Sequence, residues 1–97
     1  MEIHQALEVS KFLEVYAPDK PPIFGTVLFE VCRSGTVVQR DIETRVKSNS
    51  ARISRCVKFW KKQGFIDQKI DPDDKRYCRL TITPGGEYKL RNLFILF

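Results

Sequence analysis

Apolar positions along the 97-residue chain follow a helical period up to Gly64 and an alternating one after it. Between residues 2 and 17, Ile3, Ala6, Leu7, Val9, Phe12, Leu13 and Tyr16 form a stripe too wide for a single neighbour, which predicts a helix buried on two sides. Pro18, Pro21 and Pro22 end it. Pro22 also suits the first turn of a second helix, in which Phe24, Val27, Leu28 and Val31 face inward until Ser34-Gly35 stops it. Thr36-Val37-Val38 reads as one short strand, and a third helix follows over roughly residues 39–47 with Ile42 and Val46 as its buried side.

The fourth helix, residues 50–63, is the most informative stretch. Ser48, Asn49 and Ser50 offer N-caps and Gly64 a stop. Ile53, Cys56, Val57 and Trp60 fall at i, i+3, i+4 and i+7 and share one buried face. At about 100° per residue the opposite face carries Ala51, Arg55, Lys58 and Lys62, with Arg52 and Phe59 along one flank. A small residue and an arginine near the start of a helix, with basic residues behind them, suit entry into a major groove. Alanine lets the backbone approach, arginine pairs with guanine edges and lysines hold phosphates. The alternative is a solvated face rich in lysine. After Gly64, FIDQKI and YCRLTIT alternate as paired strands within residues 65–82, with Cys78, Leu80 and Ile82 toward the core and Tyr77, Arg79 and Thr81 on the other side. Between them lies the charged tip DPDDKRY. Thr83-Pro84 begins a last helix, whose apolar positions are Leu90, Leu93, Phe94 and Phe97.

Composition, 42% hydrophobic with 30% charged, fits one globular domain over residues 1–97. Charge is more telling in its distribution than in its total. Residues 39–62 hold eight basic and two acidic side chains, whereas residues 1–38 are net −2 and residues 63–97 net +1, which together give the chain's +5. Positive charge concentrated in one stretch is what a surface facing phosphate requires. Cys32, Cys56 and Cys78 show no CxxC spacing and His4 is the only histidine, so three thiols packed as small hydrophobes are expected, with no metal and no cofactor. No nucleophile and base can be paired and no phosphate loop is present, so an enzyme is not expected. No apolar run approaches bilayer length, and MEIHQALEVS lacks the basic flank and apolar stretch of a signal peptide, which predicts a cytoplasmic protein without a membrane partner.

Helix, helix, short strand, helix, helix, hairpin, helix is the order of a winged helix-turn-helix, mainly α with a small β-hairpin wing. From about Pro22 to Tyr88 the sequence resembles the DNA-binding lobe of MarR-type transcriptional regulators, with SARISRCVKFWKKQGFI in place of the recognition helix and DPDDKRYCRLTITPGGE in place of the wing. The register from Ile42 through Gly64 to Gly86 has no gap. Asp71-Pro72, Asp74, Arg76, Ile82-Thr83-Pro84 and Gly86 carry the wing match. The resemblance implies a homodimer that sets one recognition helix per subunit in the major groove of double-stranded DNA and a wing arginine in the adjacent minor groove. It implies Arg76 as that arginine, Asp74 as the aspartate that steadies it, and Ser54-Arg55 as the Ser/Thr-Arg pair of the recognition helix. The expected DNA contacts are then Ser50, Ala51, Arg52, Ser54, Arg55, Lys58, Lys62, Asp74, Lys75 and Arg76.

Two positions depart from the family pattern. Ser48 stands where an apolar residue usually precedes the recognition helix, and Val38 where a Ser or Thr often caps the preceding one, so a looser or differently capped turn is expected. Family members are usually longer, with a C-terminal helix pair that builds the dimer and helps line a ligand pocket, so no small-molecule effector is carried over. The expected function is a sequence-specific regulator that binds a palindromic DNA site as a homodimer, its dimer built from residues 1–17 and 84–97. The alternative is a winged-helix module or accessory factor of a replication, recombination or transcription complex that binds protein, since the fold serves both uses. For the tip, the alternative to a DNA probe is a loop kept soluble by mixed charge.

Overall fold

The computed structural model describes residues 13–95. They run as α1 (residues 13–16), α2 (Pro22–Ser34), β1 (Thr36–Val38), α3 (Gln39–Arg45), α4 (Ser50–Lys62), β2 (Ile66–Ile70), β3 (Cys78–Ile82) and α5 (Pro84–Ile95). Of the helix expected over residues 2–17, only the last turn falls within this range. There Leu13 and Ala17 are buried and Tyr16 packs edge-on against Phe65, 5.4 Å between ring centres.

Local chemistry sets the ends of the helices. Pro22 opens α2, and Gly35, in the left-handed region at φ 75°, closes it by returning its N–H to the Val31 carbonyl at 2.9 Å. Val38 precedes α3 in extended conformation without a side-chain cap, as valine must. The third helix ends at Arg45, two residues before the expected limit, because Lys47 turns left-handed at φ 52°. Of the three cap candidates, Asn49 serves α4: its side-chain oxygen accepts the Arg52 N–H at 2.9 Å. The Ser48 hydroxyl is buried with no hydrogen-bond partner among the described residues, the consequence of a polar side chain where the family pattern has an apolar one.

The core forms around α4. Ile53, Cys56, Val57 and Trp60 are at most 1% exposed and meet Val27, Leu28 and Val31 of α2, Ile42 of α3, Phe65, Leu80 and Leu90. Each such side chain contributes on the order of 1.5–3 kcal/mol by leaving water. The Trp60 indole N–H donates to the Phe24 carbonyl at 2.7 Å. Phe59, expected on the flank, is half-buried and packs edge-on against Phe24. Val46 is only partly buried. Burial pushes the Cys56 thiol up to about 11, and burial, then the nearby Glu87, raises that of Cys32.

The hairpin gains a third strand. β1 joins β3 from the far side, in antiparallel order β1-β3-β2, and Val37, Leu80 and Gln68 form one cross-strand row. Leu80 is fully buried, but Cys78 and Ile82, expected on the core side, are only half-buried. Cys78 pairs with Ile70, which is 65% exposed, at the point where the hairpin runs out past the core.

Thr83 ties the returning strand to α5. Its side chain bonds the Gly64 carbonyl and accepts the Gly86 N–H at 2.9 Å, while its own N–H reaches the Phe65 carbonyl at 2.9 Å. A Cβ on Gly86 would lie 2.8 Å from the Phe65 carbonyl oxygen and 2.9 Å from its Cα. Gly86→Ala must therefore move backbone, and should lose about 1–3 kcal/mol in urea unfolding. Gly85→Ala meets nothing within 4 Å and should gain up to about 1 kcal/mol from helix propensity. Equal effects at the two positions would refute the close approach.

Candidate nucleic-acid interface

Two elements offer polar chemistry, α4 and the hairpin tip. On α4, Ser50, Ala51, Arg52, Ser54, Arg55, Lys58 and Lys62 are all exposed. Among the described residues, none of Arg52, Arg55, Lys58 and Lys62 takes part in an ion pair. Arg55 donates to the Ala51 carbonyl at 3.5 Å, too long to hold it. The first turn of α4 contains no acidic residue, so the positive end of the helix dipole is not cancelled there. Arg52 and Arg55 also line a groove of about 480 Å³ with Pro21, Pro22, Ile23 and Phe24, which sets the start of α2 beside this face.

The hairpin tip is held by its own acids. Asp71, 6% exposed, accepts the Asp73 N–H at 2.9 Å and an Arg79 N–H at 3.4 Å. The Asp71 N–H bonds the Tyr77 carbonyl at 2.9 Å and the Tyr77 N–H the Asp74 carbonyl at 3.1 Å, which closes the loop. Asp74 grips Arg76 through both oxygens: Nε donates to Oδ1 at 3.0 Å, Nη2 to Oδ2 at 2.7 Å, and the backbone N–H to Oδ1 at 3.1 Å. The Arg76 side chain is still 78% exposed. Lys75 is exposed beside it.

The structure therefore places the expected residues in two groups, seven on α4 and Asp74, Lys75 and Arg76 at the tip. It also brings in three residues that the sequence did not single out. Gln39 donates to the Ser54 hydroxyl at 3.2 Å and accepts from Gln68 at 2.8 Å, so it links α4 to β2. Arg40 donates to the Tyr77 hydroxyl at 2.8 Å, with its guanidinium carbon 5.5 Å from the centre of that ring. The only signal for Arg40 was its share in the basic count of residues 39–62. Among the described residues, no three His, Cys, Asp or Glu side chains come together to hold a metal, and no helix is long and apolar enough to cross a membrane.

Arg76, by hydrogen bonds first from its guanidinium and then from its backbone N–H, holds the Asp74 carboxyl below its ordinary value of 3.8, and Asp74 in turn raises Arg76. For Asp71 the Asp73 N–H is the main cause of a similar lowering. Because the folded value of Asp74 lies below the unfolded one, the pair stabilises the hairpin above the unfolded value and is lost as pH falls through the folded one. An NMR titration of the Asp74 carboxyl carbon should give a midpoint below 3.8, raised in Arg76→Ala. A wild-type midpoint at the ordinary value would mean that the pair does not form in solution.

A family model for winged helix DNA-binding domains matches residues 26–86. The chain is 32% identical over 60 residues to YdcH of Bacillus subtilis (strain 168), an uncharacterized HTH-type transcriptional regulator, with 61% of this chain and 41% of that protein covered. It thus spans about two-fifths of the length of that relative. Wild-type MarR of E. coli in its apo form is similar at a TM-score of 0.75 and 15% identity, over 96% of this chain and 67% of that one. Reduced AbfR bound to DNA is similar at 0.76 and 18% identity, over 94% and 65%. At such identities the likeness is one of fold.

Proposed function

The chain belongs to the winged helix DNA-binding domain family, and from that premise we propose that it is a homodimeric transcriptional regulator that binds a specific double-stranded DNA site. The observation that carries this reading is an exposed basic face on α4, without ion pairs among the described residues, on the same molecule as an arginine held out from a hairpin tip by a bidentate aspartate. In this role α4 enters the major groove by its N-terminal end, where Ser50 and Ala51 allow close approach. Arg55, with Arg52 and Ser54, reads base edges, and Lys58 and Lys62 hold phosphates. Arg76 enters the adjacent minor groove with its direction set by Asp74, while Lys75 meets the backbone. The DNA-bound state of AbfR, a protein of the same fold, supports the assignment. The family is one of DNA-binding domains, and no reaction is assigned.

Arg55→Ala should cost about 1–3 kcal/mol on the specific site and relax its sequence preference, whereas Lys62→Ala should weaken all duplexes about equally and reduce the salt slope by about one. Arg76→Ala should lose most on sites with A·T-rich flanks, where the minor groove is narrow. Binding measured against salt on selected and random duplexes checks all three. A wild-type protein whose binding to duplex DNA ignores salt would instead be a protein-binding winged helix.

The dimer is proposed to form from the two ends of the chain. Leu93-Phe94-Ile95-Leu96-Phe97 is wholly apolar, and Ile3, Leu7 and Val9 give residues 2–17 more apolar surface than one neighbour can cover. Pairing them across a two-fold axis would set two recognition helices about 34 Å apart and call for a palindromic site. Sedimentation should show a dimer for the intact chain and a monomer for a chain ending at Arg91. A micromolar monomer for the intact chain would refute the dimer.

A further inference from the structure

We infer that Tyr77 is a positioning residue for the wing arginine, and that it transmits the position of α3 to the tip. The inference rests on the proposed DNA-binding role. Tyr77, at the hairpin tip, touches both the helical body and Arg76. Its hydroxyl accepts a 2.8 Å hydrogen bond from Arg40 in the first turn of α3, and the Arg40 guanidinium lies 5.5 Å from the ring centre. The Arg76 guanidinium lies 5.4 Å from the centre of the same ring. The backbone of Tyr77 closes the tip at both ends, to Asp71 and to Asp74.

These contacts have a mechanical consequence. Asp74 fixes the direction of Arg76 relative to the tip, but Asp74 and Arg76 move together if the tip swings. β2 and β3 end at Ile70 and Cys78, where Ile70 is 65% exposed, so the tip begins at the edge of the apolar core. The Arg40 to Tyr77 bond supplies a brace from α3, which packs directly on α4. The reach of Arg76 is then referred to the recognition helix and not to the hairpin alone.

Tyr77→Phe removes only the hydroxyl and leaves every charge, the ring and the backbone bonds in place. Duplexes enriched by the wild-type protein from a random-sequence pool, remade with A·T-rich or G·C-rich flanks, are the probe. Tyr77→Phe should reduce the preference for A·T-rich flanks by about threefold, the lower end of what one net hydrogen bond contributes, with the salt slope unchanged. In an Arg40→Ala background the same substitution should have no further effect, since its partner is gone. An unchanged flank preference in Tyr77→Phe overturns the inference, as does an effect of Tyr77→Phe that persists undiminished in Arg40→Ala. A fall in salt slope in Tyr77→Phe also overturns it, because that would make Arg40 a phosphate anchor released by the mutation. If the wild-type protein binds no duplex at all, the DNA-binding role fails and the inference with it; if wild type binds and Tyr77→Phe matches it, the inference fails alone.

Discussion

The hydrogen bond from the Trp60 indole to the Phe24 carbonyl joins the two ends of the helical layer, and the geometry of the candidate interface depends on it. Trp60 stands in the last turns of α4, and Phe24 in the first turn of α2. A fully buried indole needs an acceptor for its N–H, and the Phe24 carbonyl, with two lone pairs, can accept it in addition to the N–H one turn on in α2. Its ring packs edge-on against Phe59 at 4.8 Å and Phe65 at 5.2 Å, and the Phe65 N–H returns to the Trp60 carbonyl at 2.9 Å. One side chain therefore fixes the axis of α4 against α2 and, through Phe65, the point at which β2 begins. Both halves of the candidate interface inherit their placement from it.

Farther from the core, apolar packing gives way to polar ties. Gln39 and Arg40, adjacent in the first turn of α3, reach Ser54 and Gln68 in one case and Tyr77 in the other. Individually such exposed bonds contribute little to stability. Their value is directional: they link parts that hydrophobic contact, which has no preferred angle, leaves free to rotate. The turn that connects α3 to α4 is the weakest part of this frame, with a left-handed Lys47 and an unpartnered hydroxyl at Ser48.

What the sequence disclosed follows the same division. The buried face of α4 was legible because four residues at helical spacing, Ile53, Cys56, Val57 and Trp60, have no alternative but to face inward. The cap at Asn49 was legible only as one of three candidates, since Ser48, Asn49 and Ser50 have similar chemistry and the choice depends on Lys47, whose left-handed turn no pattern announces. Alternation gave the hairpin strands but overstated the burial of Cys78, because period two says which face a residue takes and not where the core ends. Asp74 and Arg76 are two apart, so their pairing needed only local geometry. Arg40 and Tyr77 are 37 residues apart in sequence, and the contact between them exists only once α3 and the hairpin have been packed. Tyr77 was read as an outward strand residue, whereas it lies one residue before β3, half-buried in the tip, where a strand pattern says nothing of its partner.

The hairpin tip bears on how the protein would search as well as on where it would stop. Its seven residues, 71 to 77, carry three aspartates against Lys75 and Arg76, a net charge of −1. A wholly basic tip would gain counterion-release free energy on every stretch of duplex it met, and the protein would linger on the many wrong sequences. A tip whose arginine is already paired gains little from an average groove, and only a minor groove with deep negative potential competes with the Asp74 carboxylate for it. In the proposed role, the hold on random DNA would then fall to the basic side chains of α4. The acids at the tip would thus favour short visits to most of a genome and long ones to a few places.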